Sequence, residues 1–237
     1  MSKEPLSLDY FSGGVPASLM FKMSLDSLRA LVKANPEREI RGAVEVCYIS
    51  LTAYFEAFCK DLFASVLNIF PELTISLREA GQDTSLDAVN IRSMSDELEH
   101  RLGCLLAEKY DFGTAKKINA LFSALAKITP FSKDESAEFD RIHRDRNLLV
   151  HHGGIFTTAY LRQMSSRHAE LNQEVAFWGS LVMTPERFAE DSDFLESIGR
   201  KLTSSIVSAL TKKQALLDTL NHKERDSAFR FLDDWKI

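Results

Sequence analysis

The 237-residue chain is 45% hydrophobic and 27% charged, with a formal net charge of −5; this suits a globular protein with a substantial apolar core and excludes a general polycationic coat for nucleic acid. It holds no run of about 18 apolar residues, and its N-terminus, MSKEPLSLDYF, lacks the basic-then-apolar pattern of a secretion signal. A single cytoplasmic domain over 1–237, with no membrane span, is expected.

Residues 1–15 read as an irregular arm, with Ser12-Gly13-Gly14 as a loop signal. Pro16 opens a helical pattern that carries Leu19, Met23, Leu25, Leu28, Leu31 and Val32, and Asn35-Pro36 stops it. A long second helix is expected from about Glu37 to Phe70, with Leu51, Tyr54, Phe55, Phe58 and Leu62 at helical spacing. Its apolar face is wide, so the helix is either central or shared between the core and a partner. Cys47 and Cys59 fall on this helix roughly 18 Å apart, too far to bridge. With Cys104 they form an unpatterned set of three that suits a reducing compartment.

Pro71 ends the second helix, and Thr84 or Ser85 is a candidate N-cap for a further helix that breaks before Gly113. AKKINALFSALAKI, 115–128, is amphipathic, and Thr129-Pro130 breaks it. Ser132 then starts SKDESAEFDRIHRDRNLLVHH, acidic early and basic late, an order that complements the helix dipole. Gly153-Gly154 can supply a left-handed cap. Thr157 or Thr158 caps a short helix, AYLRQMSSRHAEL. EVAFWGSLVMT, 174–184, predicts a small β-hairpin around Gly179-Ser180. Thr184-Pro185-Glu186 is an N-cap followed by proline at the first helical position. A last long helix is expected from about Asp193 to Asn221, and RDSAFRFLDDWKI is a short helix or a packed tail. The fold class is mostly α with one small late β-hairpin.

The chemistry-bearing stretch is RDRNLLVHHGG, residues 144–154. His143, His151 and His152 lie near Asp140 and Asp145 but lack the spacing of a zinc protease, and no Cys-x-x-Cys occurs, so no metal or other cofactor is expected. No phosphate-binding lysine loop, dinucleotide fingerprint or nucleophile elbow is present. Asn147 and His151 share a helix face, whereas Arg146 and His151 stand about 140° apart on a straight helix. A kink, or a second copy of the helix facing the first, would bring them together. An imidazole near a helix C-terminus suits proton transfer, and a guanidinium suits a phosphate. Helix-end electrostatics alone also favour Arg and His at these positions, with Gly-Gly as an ordinary stop. Leu148, Leu149 and Val150 read as packing residues.

RNLLVHHGGIFTTAYL resembles the signature of HEPN domains (higher eukaryote and prokaryote nucleotide-binding domains): an arginine, often followed by a polar residue, then a histidine after four to six positions. Arg146 and His151 fit that spacing, with Asn147 in the polar slot. The flanking glycines, Tyr160-Leu161, the earlier ISLTAYFEAFCKDL and the hairpin followed by TPERF resemble the bacterial RiboL-PSP-like branch. The likeness covers about residues 40–220 and is strongest over 144–161. It implies a HEPN-like helical bundle that forms a homodimer, with two arginine–histidine motifs across one cleft. It also implies a metal-independent endoribonuclease of toxin–antitoxin or phage-defence type, with RNA as substrate and an antitoxin or other defence-system protein as possible partner. Arg146 would hold the scissile phosphate, and His151 would act as general acid or base for attack by the ribose 2′-hydroxyl. Asn147 would position the site, and His152, one residue out of register, is a secondary candidate.

Glu56 has two readings: a carboxylate that supports Arg146, or an exposed i,i+4 pair with Lys60. Arg144 and Arg141 are candidates for drawing in RNA, or plain solvated charges. The alternatives to the enzyme are a HEPN-fold module that binds a nucleotide or a protein without catalysis, and a purely structural helical dimer. The dimer contact is expected on the apolar face of 51–70 and on the 148–150 stripe.

Overall fold

The computed structural model describes residues 15–35, 40, 42–93, 98–165 and 179–236. The described residues are mostly helical, as the sequence predicts, and form one shared hydrophobic cluster.

Helix α1 (Ala17–Lys33) follows Pro16 and buries Phe21, Leu25, Leu28 and Val32, one stripe of a 3.6-residue repeat. Helix α2 (Ala43–Ile69) starts later than about Glu37, because Gly42 takes a left-handed φ of 76° that a right-handed helix cannot include. Its length crosses the whole core. Tyr48, Leu51, Phe55, Phe63 and Leu67 are fully buried, so α2 is central, with Val46 and Tyr54 left exposed on it. Phe55 meets Phe21, Phe58, Phe131 and Phe139, which ties α2 to the helices on either side of it.

Helices α3 (Leu73–Glu79), α4 (Ala88–Ser93) and α5 (Leu98–Ala107) follow. The start of α4 is capped by Asp87, whose Oδ1 accepts from the Val89 N–H at 2.7 Å, and not by Thr84 or Ser85. Helix α5 packs on α2 through Gly103: a Cβ there would stand 2.0 Å from the Ala64 carbonyl oxygen. The Gly103 N–H also donates to Asn68 Oδ1 at 2.6 Å.

Helix α6 (Ala115–Ala126) is capped by Thr114 and ends at Lys127, which is left-handed at φ 60°. Helix α7 (Lys133–His152) carries a complete capping box between Ser132 and Glu135 and stops at left-handed Gly153. Helix α8 (Thr158–Ser165) is capped by Thr157, whose hydroxyl accepts from the Tyr160 N–H.

Residues 174–178 of the predicted hairpin, 174–184, lie outside the described residues. The described end of that segment pairs elsewhere: Ser180 forms an antiparallel bridge with Ile155, and the Leu181 N–H donates to the Gly154 carbonyl at 2.8 Å. This contact closes the chain over the C-terminal end of α7. Helix α9 (Pro185–Leu210) runs unbroken from its Thr184 cap, not from Asp193, and ends before α10 (Gln214–Leu217). Helix α11 (His222–Leu232) has a second capping box, Asn221 with Glu224. The tail packs: the Trp235 N–H donates to Thr203, and its ring lies against Phe21 and Phe58. No helix is long and apolar enough to cross a membrane among the described residues.

Candidate active site

Residues 144–152 form about the last two and a half turns of α7, and their position is set by a buried ion network as well as by apolar packing. Asp145 is fully buried. It accepts from the Tyr160 hydroxyl at 2.7 Å, from Arg141 Nη1 at 2.9 Å and from Arg187 Nη2. Arg141 continues to Asp191, and Asp191 accepts from the Tyr48 hydroxyl at 2.7 Å. The chain of contacts joins α2, α7, α8 and α9. Burial and the neighbouring Asp191 carboxylate hold the Tyr48 proton firmly in place. Burial also raises Asp191, and Arg141 partly offsets that. Every charge in the network has a partner, the condition under which buried charges are tolerated.

Arg141 is therefore turned inward and anchored. An RNA-attracting role for it finds no support in this arrangement; the reason is competition from two buried carboxylates, Asp145 and Asp191, for the same guanidinium.

The other candidates lie along two adjoining faces of α7. Asn147 and His151 share one face, one turn apart, and both line an open groove of about 670 Å³. His152 and Arg144 line it too, as does Lys116 from the first turn of α6. Arg146 stands on the neighbouring face, as the helical angle requires. Its Nη1 reaches back and donates to Asn147 Oδ1 at 2.9 Å, so Asn147 links the arginine face to the histidine face. His151 and His152 are exposed just before the Gly153 cap.

Glu56, on α2, lies within electrostatic reach of Arg146. Burial raises its carboxyl above the ordinary range, while the Arg146 charge pulls it back down. Among the described residues Glu56 forms an ion pair with neither Lys60 nor Arg146; its close contact is His143, whose Nδ1 lies 3.6 Å from Oε1, and Arg146 acts on it at longer range.

One member of the site escaped the sequence reading except as a failed metal ligand. His143 is 8% exposed and stacks near the Phe139 ring, with centroids 4.3 Å apart. Its Nδ1 lies 3.6 Å from Glu56 Oε1, the residue lines the groove, and its buried Nε2 has no hydrogen-bond partner among the described residues. Burial, then the Arg146 charge, drives its pKa down to about 4, so the ring is neutral at neutral pH. The signal for it was present: His143, Asn147 and His151 follow one another at four-residue steps, so they share a face. Lys116, Tyr48 and Asp191 had no comparable signal, because only the fold brings them near α7.

The expected dimer face is corrected. Leu51, Phe55, Phe58 and Leu62 are spent on the chain's own core, as are Leu148 and Leu149. Of the large apolar residues in those two segments, only Tyr54 and Val150 are exposed. Among the described residues, no group of three His, Cys, Asp or Glu side chains is placed to hold a metal ion. No family model, no curated protein and no solved structure matches this chain.

Proposed function

We propose that the chain is a HEPN-type, metal-independent endoribonuclease in which Arg146 binds the scissile phosphate and His151 moves the proton. The observation that carries this reading is the Arg146–Asn147–His151 arrangement: a phosphate-binding group tied by hydrogen bond to the residue that shares the histidine's face, on the rim of an open groove. His151 is exposed and lines the groove, where its imidazole can exchange a proton with a bound strand. Glu56, whose carboxyl feels the Arg146 charge, supports the arginine electrostatically. The 2′-hydroxyl of RNA is the nucleophile: its proton leaves to a base, the 2′-oxygen bonds to phosphorus, and the 5′-oxygen departs with a proton from an acid. The product ends are a 2′,3′-cyclic phosphate and a 5′-hydroxyl. A toxin or phage-defence setting, with a protein partner that restrains the activity, fits such a site.

A second copy completes the site, because Arg146 and His151 diverge on one helix. Tyr54, Val150 and Val46 are the exposed apolar residues of α2 and α7 left to meet it.

One observation favours the non-catalytic module. His151 has no orienting hydrogen bond among the described residues, whereas general bases are ordinarily held by a third group. Incubating mixed RNA with the wild type, Arg146→Ala and His151→Ala decides between them. Cleavage by the wild type alone supports the enzyme; RNA retained uncut by all three supports the module.

A further inference from the structure

The buried floor of the groove carries more cationic chemistry than a single scissile phosphate uses. Arg144 is half-buried, and its Nε and Nη2 are shielded from water yet find no acceptor among the described residues. Asp145, the buried carboxylate next to it in the chain, is already filled by Tyr160, Arg141 and Arg187. Asp140, one turn earlier on the same groove and its only lining carboxylate among the described residues, does not pair with Arg144 either. His143 offers a second unpartnered polar atom, Nε2, from a residue more than nine-tenths buried. Lys116, exposed at the start of α6, faces the same space and makes no ion pair among the described residues. Donors left without acceptors in a shielded place are costly, and a native protein keeps them where something else supplies the acceptor.

We propose that this floor is a second phosphate subsite for the same single-stranded RNA, built from Arg144, Lys116 and His143 and separate from the Arg146–His151 pair. The identity of the ligand rests on the ribonuclease reading above. A phosphodiester has two unbridged oxygens. The Arg144 fork and the Lys116 ammonium hold them from two different helices, and the His143 imidazole closes the third side. Arg144 and His151 are seven residues apart on α7, about 10 Å along its axis, so a strand lying along the helix places this phosphate roughly two to three stacked nucleotides from the cut. The subsite grips the strand beside the reaction and sets its register. Base identity plays no part in it.

The probe is the thymidine trinucleotide TpTpT, which carries two phosphodiesters and no 2′-hydroxyl and so cannot be cut by this chemistry. Its affinity for the full-length chain is measured by calorimetry at low salt, and the histidine side-chain signals are followed by NMR. Lys116→Gln and Arg144→Gln each weaken binding about tenfold, and TpTpT shifts the His143 signal in the wild type. Lys116 is exposed, so its variant keeps the fold even if Arg144→Gln loses it. The subsite is overturned if TpTpT fails to bind the wild type, or if both variants bind as tightly as it does. The two readings fail separately. Lys116-dependent TpTpT binding by a protein that leaves RNA uncut keeps the subsite and removes the ribonuclease. Cleavage that needs Arg146 and His151, with TpTpT indifferent to Lys116, does the reverse.

Discussion

His143 Nδ1 lies 3.6 Å from Glu56 Oε1, and the charge of Arg146 bears on both groups. One cation thus lowers the proton affinity of a buried imidazole and of the carboxyl beside it. Burial, the larger influence on each, lowers the proton affinity of the imidazole and raises that of the carboxyl. An anion bound at Arg146 cancels part of that charge, so occupancy of the site and protonation of His143 are linked.

The same shift predicts an acid-sensitive fold. The folded-state pKa of His143 is about 4, below the ordinary 6.5, so the unfolded chain binds the proton first as pH falls. The stability this burial contributes is intact above pH 6.5 and is lost progressively between 6.5 and 4, to a limit of about 3 kcal/mol. Glu56 works in the opposite direction, since its raised carboxyl takes up protons more readily when folded. The difference between wild type and His143→Phe isolates the histidine. Urea unfolding at pH 7 and pH 4.5 will show the gap between the two proteins changing in favour of the variant at the lower pH. Parallel pH dependence would mean that His143 is not held neutral.

Asp145 will be among the most sensitive positions in the chain. Asp145→Asn leaves Arg141 and Arg187 facing an amide in a closed site, and removing one side of a buried ion network costs about 3–5 kcal/mol. Lys201→Met breaks an exposed pair with Glu135 and will cost under about 1 kcal/mol. Thermal or urea unfolding of the two variants tests the contrast. Similar losses would show that the network does not hold α7 in place.

The α2–α5 crossing supplies a third test. Gly103→Ala drives a methyl group into the Ala64 carbonyl, a backbone atom that cannot swing away. Overpacking of this kind costs about 1–3 kcal/mol. Gly153→Ala, where φ is positive but space is open, will lose less, and a comparison of melting temperatures separates steric crowding from backbone preference.

Where elements carried their own punctuation, the sequence was readable. Pro16, Asn35, Thr114, Ser132 with Glu135, Gly153 and Thr184-Pro185 all mark boundaries that the helices respect, because caps and breakers act within a few residues. The errors came where the decisive contact was distant. The wide apolar face of α2 left a core role and a partner role open, and only the packing of α1, α5, α7 and α9 around it shows that the face is used up internally. Arg141 looked like any surface arginine because Asp191 is fifty residues away. At the Gly179-Ser180 turn signal, Ser180 bridges to Ile155, a partner outside residues 174–184, and residues 174–178 lie outside the described residues. At the candidate site, Asn147 and His151 were legible from helical phase, and His143 was legible by the same phase. The groove wall from α6 was not.

Chemistry without metal gives a direct prediction. RNA cleavage will persist in excess EDTA and will stop when the nucleotide 5′ to the cut carries a 2′-deoxyribose. Arg146→Ala and His151→Ala will each slow it about 10²–10⁴-fold, the usual size of an acid–base or electrostatic contribution. A strict magnesium requirement with 3′-hydroxyl products would point to a metal-activated water instead.

Subunit mixing tests the composite site. Arg146 and His151 lie about 140° apart around α7, so the active pair in the proposed dimer joins Arg146 of one copy to His151 of the other. An isologous dimer has two such sites. Arg146→Ala alone and His151→Ala alone each spoil both. A mixed dimer of the two variants keeps one site whole, because the intact arginine and the intact histidine come from different chains. Half of randomly paired dimers are mixed, so an equimolar mixture will recover about one quarter of wild-type activity. Val150→Glu places a charge on an exposed apolar residue of α7 and will lower both the dimer fraction in sedimentation and the recovered activity. No recovery on mixing, with dimers confirmed by sedimentation, would place the working arginine and histidine in the same chain. The hydrogen bond from Arg146 to Asn147 would then be the bridge between them, and Asn147→Ala would abolish cleavage as completely as loss of either partner.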